Sequence, residues 1–168
     1  MFIEVEGDIL LSKAAVIAHG IAPLDHFDSG LALALRERWP SMVRDYRHDT
    51  RSRPLASGAL WLWRGVDADG STRGIVNLLT QDMLHDGRAG KPGKATRENV
   101  AHCLKALAKL AHEEQFTSIA LPRLATGVGG LDWADVKPLV REHLSELEIP
   151  VVVYEVYRKG VAAEENLG

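Results

Sequence analysis

The hydrophobic and polar positions change period several times along the chain. "MFIEVEG" alternates apolar with polar residues and predicts a strand with one buried face, whereas "AAVIAHG" is a short apolar run closed by glycine, as in a strand buried on both faces. From Ser29 the spacing turns helical, with Leu31, Leu35 and Trp39 on one side and Arg36, Glu37 and Arg38 on the other until Pro40, and a second short helix follows through Val43 and Tyr46. "ALWLWRG" and "GIVNLLTQ", separated by "DADG", read as two strands joined by a hairpin-like loop, in which Trp61 and Trp63 share one face, suited first to core packing and second to base stacking. "DMLHDGRAGKPGKAT" has no periodicity and predicts a long loop. Thr96 then caps a helix whose apolar positions run through Val100, Cys103, Leu104, Leu107 and Leu110.

The remainder alternates: "SIALP" is a strand, "LDWADVKPLVREHLSEL" a helix with Asp132 as N-cap and a kink expected at Pro138, and "PVVVYEVY" a last strand. This order argues for an α/β layer fold around a largely parallel sheet. "RKGVAAEENLG" reads as a mobile polar tail.

Composition changes this picture little. The 168 residues, 46% hydrophobic and 26% charged, suit one soluble domain with a substantial core. A net charge of -3 gives no overall basic excess that would announce nucleic acid, although it says nothing against a local patch. Cys103, the single cysteine, excludes an internal disulfide and reads as a buried thiol. No apolar run is long enough for a membrane span, and the acidic "MFIEVEGDILL" is the reverse of a secretory leader, so a cytoplasmic location is expected. Histidines and acids lack metal-ligand spacing, and no metal or cofactor is expected.

Candidate chemistry sits where strands hand over to helices. "ATGVGG" leaves a strand and precedes a helix, and glycines there let backbone amides approach a phosphate beside a helix N-terminus. "HGIAPLDHFDSGLALAL" makes a second such junction, so two loops can clamp a diphosphate. Asp8 in "EGDIL" can accept from an exocyclic amine such as adenine N6. His19 can act as acid or base near neutral pH, or be a buried histidine bonded to its surroundings. Asp25, His26 and Asp28, and His85 and Asp86 in the long loop, are polar positions able to orient water or close over a ligand.

In the order "GDIL", "HGIAPLDHFDSGLA", "NLLTQ" and "LPRLATGVGGLDW", the chain resembles the macrodomain family over roughly Phe2 to Tyr157. The resemblance implies a three-layer α/β/α fold with a six-stranded mixed, largely parallel sheet over residues 1–157, leaving 158–168 as the polar tail. It implies ADP-ribose as ligand: Asp8 and Ile9 hold the adenine, while Ile21, Ser29, Gly30 and Leu31 and the loop of Ala125, Thr126, Gly127, Val128, Gly129 and Gly130 enclose the diphosphate and distal ribose. It further implies hydrolysis at the ribose C1'', with His19 matching a histidine of the phosphatase-like members as a catalytic candidate and an ADP-ribosylated protein, nucleic acid or phosphate ester as substrate; Asp28 is a second catalytic candidate, as an acid of the first loop able to direct water. The "PR" and "GGLDW" elements look most like the antitoxin macrodomains that remove ADP-ribose from DNA. Two departures weigh against turnover and for a non-catalytic reader: Gln81 stands where glycohydrolases of this branch use a lysine, and Gly129 where the eukaryotic glycohydrolase uses an aspartate.

Overall fold

The computed structural model describes residues 1–83 and 92–167. Its strands are β1 (Phe2–Gly7), β2 (Val16–Gly20), β3 (Leu60–Val66), β4 (Thr72–Leu78), β5 (Gln81–Met83), β6 (Pro92–Ala95), β7 (Ile119–Pro122) and β8 (Val151–Tyr157). The helices are α1 (Gly30–Arg38), α2 (Pro40–Ser52), α3 (Arg97–Glu113) and α4 (Trp133–Leu144). Six strands form one sheet in the order β1-β8-β7-β2-β4-β3. Every neighbouring pair is parallel except β3 and β4, so the sheet is mixed and largely parallel, as expected.

Strand alternation divides the core in two. Val16 and Ala18 of β2, Val76 and Leu78 of β4, and Val151 and Val153 of β8 pack with Val100, Leu104 and Leu107 of α3 and with Val136 and Val140 of α4. The intervening Ile17, Ile75 and Val152 face Leu35 of α1 and Met42, Val43 and Tyr46 of α2. Side chains alternate across a strand, so His19 and Asn77, paired in register, project on the α1/α2 side.

The elements follow from local chemistry. Thr96 Oγ1 accepts from Asn99 N at 3.0 Å and caps α3. Cys103 is buried, its thiol pushed up to about 12 by desolvation, which makes it inert. The Trp61 ring meets Tyr46 edge-on with centroids 5.2 Å apart, and its Nε1 donates to Asp49 at 3.2 Å. Trp63 Nε1 donates to Asp45 at 2.8 Å, so both indoles tie β3 to α2.

The structure corrects four local expectations. The second helix is 13 residues long. Pro40 begins it, where proline's missing N–H costs nothing. The two ends of the expected long loop pair as the antiparallel ribbon β5–β6, while His85 and Asp86 lie outside the described residues. Asp132 occupies the N-cap of α4 with its backbone, since Asp135 N bonds its carbonyl at 2.9 Å, but its side chain makes no capping bond. The C-terminal tail is held, because the buried Glu165 carboxylate accepts from Ser12 Oγ at 2.6 Å, Lys13 N at 2.8 Å and Tyr154 Oη at 2.9 Å.

Candidate functional site

β2 and β7 are neighbours, yet after β2 the chain crosses one face toward β4 and after β7 it crosses the other toward β8. Loops leaving in opposite directions open a crevice at the carboxyl ends of the strands, and the cleft lies there. Loop 1 (residues 21–29) and loop 2 (residues 123–132) are its two walls.

The cleft has two ends that adjoin across Gly30, Leu31 and Pro122. One end, about 430 Å³, is apolar, walled by Ile9, Leu10, Ala34, Tyr154 and Tyr157, with Asp8 as its one carboxylate among the described residues. The other, about 200 Å³, is bounded by His19, Gly20, Asp25, Ser29, Gln81, Arg123 and Gly127 to Gly129.

Asp8 is nearly buried, and its two oxygens accept from Leu10 N at 3.0 Å and Gly160 N at 2.9 Å. A carboxylate offers about four acceptor sites, so capacity remains for a ligand amine. The Gly160 contact also fastens the C-terminal segment to the apolar end.

His19 is wholly buried, and Nε2 lies 2.6 Å from Asn77 Oδ1. Asn77 Nδ2 is turned to the Trp61 carbonyl at 3.4 Å, which leaves Oδ1 as an acceptor and assigns the ring proton to Nε2. Nδ1 is then a bare lone pair, and it has no partner among the described residues. Desolvation drives the imidazole down to about 4, against a smaller upward pull from Asn77. His19 is therefore a neutral, single-faced acceptor at physiological pH.

The two walls carry backbone strain. Leu24 (φ 57°) and Phe27 (φ 56°) in loop 1 and Ala125 (φ 64°) in loop 2 are left-handed without being glycine. Each costs about 1–2 kcal/mol, and such residues gather at functional sites. Asp25 stabilises the bend of loop 1: its oxygens accept from Ala22 N at 2.9 Å and Phe27 N at 2.8 Å. Burial raises its pKa, opposed by those two bonds. Loop 2 closes through Leu131 N to Ala125 O at 3.1 Å and Gly130 N to Gly127 O at 3.1 Å. Among the described residues, the amides of Gly127, Val128 and Gly129 meet no acceptor, and Ser29 leaves the first turn of α1 without a side-chain cap. Two sets of open N–H donors thus bracket the polar end, an arrangement suited to phosphate.

The structure brings together Asp8, Ile9, His19, Ser29, Gly30, Leu31, Ala125, Gly127, Val128 and Gly129 on the cleft. It places four expected residues elsewhere. Ile21 is a core side chain whose carbonyl accepts from Gln81 N, Asp28 is exposed on loop 1 beside the lining residue Asp25, and Thr126 turns its hydroxyl to Arg123 O at 2.7 Å. Gly130 (φ 78°) sits against the Lys94 side chain. Tyr154 and Tyr157 are cleft residues that the sequence reading missed, their one signal being their position on β8, whereas Pro122 and Arg123, the "PR" entering the second loop, line the cleft without having been named as ligand-binding.

The two departures acquire a physical form. Gln81 lines the cleft and donates from Nε2 to Gly93 O at 3.2 Å, so its amide ties down the β5–β6 ribbon. A Cβ on Gly129 would stand 2.6 Å from the Ala125 carbonyl oxygen and 3.0 Å from Ala95 Cβ, so packing keeps a side chain out. Among the described residues, no helix is long and apolar enough to cross a membrane, and no three His, Cys, Asp or Glu converge as metal ligands.

Comparison with known proteins fits this geometry. The Macro domain family model matches residues 22–140. The chain is 26% identical over 157 residues to a DNA ADP-ribosyl transferase-DNA ADP-ribosyl glycohydrolase fusion protein of Thermosipho africanus, covering 89% of this chain and 40% of that protein. It is 29% identical over 154 residues to a DNA ADP-ribosyl glycohydrolase of Thermus aquaticus, covering 90% and 40%. The chain thus spans about two-fifths of the length of these relatives. The macrodomain of Thermus aquaticus DarG superposes with a TM-score of 0.79 at 27% identity, covering 92% of this chain and 98% of that one. The macrodomain of Mycobacterium tuberculosis DarG shares the fold, with a TM-score of 0.80 at 22% identity over 92% and 97% of the two chains.

Proposed function

This chain belongs to the macro domain family, and on that footing we propose that it binds ADP-ribose in the cleft and hydrolyses the C1'' bond joining ADP-ribose to a nucleic acid. The observation that carries the reading is the two-ended cleft itself. An apolar end bearing the Asp8 carboxylate suits adenine, and a polar end bracketed by open amides suits a diphosphate and its ribose. Nucleic acid is the substrate class because the relatives are named DNA ADP-ribosyl glycohydrolases.

In the proposed reaction a water oxygen bonds to C1'' as the bond to the nucleobase breaks, and the bonding electron pair leaves with the base. The base gains a proton and the water loses one. His19 contributes through Nδ1, which aligns the water or a ribose hydroxyl by accepting from it. With its pKa driven to about 4, the imidazole is a weak base, so its role is chiefly orientation. Asp25 is a positioning residue that fixes loop 1. Asp28, on the exposed rim, is a candidate for contact with the leaving group. Release of phosphate from ADP-ribose-1''-phosphate is chemistry open to the same site, and a cytoplasmic location belongs to the same proposal.

A non-catalytic reader of ADP-ribosylated targets is the second reading, favoured by Gln81, whose amide cannot replace a lysine as acid or nucleophile. Incubation with ADP-ribosylated DNA, ADP-ribosylated protein and ADP-ribose-1''-phosphate separates the two. Release of ADP-ribose from DNA, slowed about 100-fold by His19→Ala, supports the hydrolase. Binding of ADP-ribose with no product from any of the three supports the reader.

A further inference from the structure

The chain carries a net charge of -3, yet residues 36–53 hold six arginines against three acids. The helix sorts these charges. Asp45 and Asp49 turn toward β3 and accept from the Trp63 and Trp61 indoles, while Arg44, Arg47 and Arg51, three and four residues apart, share the opposite, exposed face. Arg36 from α1 and His48 join them around one shallow hollow.

Several arginines find carboxylates: Arg38 and Arg73 pair with Asp67, Arg64 with Glu114 and Arg141 with Glu4. Among the described residues, Arg36, Arg44, Arg47 and Arg51 pair with none. Unpaired like charges on one face repel each other, and an anion laid across them removes that cost. The patch is also joined to the cleft, since Arg36 Nη1 donates to His26 O at 3.1 Å and His26 belongs to the loop whose Asp25 and Ser29 line the polar end.

We infer that Arg44, Arg47 and Arg51 of α2, continued by Arg36, hold the phosphate backbone of the nucleic-acid strand whose ADP-ribosylated base the cleft receives. The inference rests on the reading of the cleft given above. Guanidinium forks match phosphate geometry, and side chains three or four apart stand about 5–6 Å from one another, a pitch suited to successive phosphates. Beyond His48 a second hollow adds Arg53 and the partly exposed Trp61 ring, a stacking surface that a nucleobase uses and an acidic peptide does not.

The test is fluorescence anisotropy with a labelled, unmodified single-stranded oligonucleotide. Four neutralised phosphates give a salt slope of about -2.8, a loss of about 50-fold in affinity between about 50 and about 200 mM salt. R44E/R51E should weaken binding at least about 10-fold at low salt. K105E/K109E, an equal charge change on α3, should stay within about 2-fold of wild type. Calorimetry with ADP-ribose should give the same affinity for all three proteins. Unchanged oligonucleotide binding by R44E/R51E would overturn the inference, as would a poly-glutamate chain of equal length competing as well as the oligonucleotide. If wild type fails to bind ADP-ribose, the reading of the cleft falls, while the anisotropy series still decides whether α2 holds nucleic acid.

Discussion

Burial holds His19 neutral, and this has a consequence for stability that can be measured. Its pKa falls from 6.5 to about 4 on folding, so between these values the unfolded chain binds more protons than the folded one. The resulting stabilisation is fully present above about pH 6.5 and is lost as the pH falls toward 4. At about 1.4 kcal/mol per unit, the whole effect is roughly 3 kcal/mol, of which about 2.5 is already lost near pH 4.5. Carboxylates titrate in the same window, Asp25 with the opposite sign because its folded pKa is raised. His19→Gln removes the imidazole and leaves those carboxylates in place, so the difference between the two proteins isolates the ring. Urea unfolding of wild type and His19→Gln at about pH 7 and about pH 4.5 should show the advantage of wild type shrinking by about 2.5 kcal/mol on acidification. Parallel losses in the two proteins, within about 0.5 kcal/mol, would refute the assignment of His19 as a buried acceptor.

Three further outcomes follow from the contacts. Asp8→Ala should lower ADP-ribose affinity by about 10- to 100-fold, read by calorimetry, and speed amide exchange at Gly160, because the same carboxylate accepts from that N–H. Gly129→Asp should lower stability by about 1–3 kcal/mol in thermal unfolding and create no faster hydrolysis, because the new Cβ meets the Ala125 carbonyl. Glu165→Ala removes the acceptor of the Ser12 and Tyr154 hydroxyls and of the Lys13 amide and should cost about 2–4 kcal/mol, with the C-terminal segment becoming the first site of proteolysis.

The sheet and its helices were legible because burial imposes a period: β2, β4 and β8 carry apolar residues on both faces, and α3 announces both its stripe and its Thr96 cap. The β5–β6 ribbon was not, since "PGKA" has neither alternation nor bulk and is held by pairing across the chain. The tail misled for the same reason: its composition is polar, and Glu165 is held by Tyr154 of β8 and by Ser12 and Lys13 from the far end of the chain. In the site, the glycines of loop 2 marked its place, but Leu24, Phe27 and Ala125 adopt positive φ without being residue types that ask for it. Asp25 and Asp28 are indistinguishable as sequence, and the turn that Asp25 itself bonds decides which of them lines the cleft. The arginine spacing of α2 could be read, yet the overall charge of -3 masked it.

The most direct test of the central claim is a calorimetric titration of the protein with ADP-ribose, with AMP and ribose-5-phosphate as its separate halves. Because the two ends of the cleft adjoin across Gly30, Leu31 and Pro122, one molecule of ADP-ribose should bind per chain, with a micromolar or lower Kd and at least about 10-fold more tightly than either half. Absence of binding at about 1 mM ADP-ribose, or an affinity no better than that of AMP, would contradict the account.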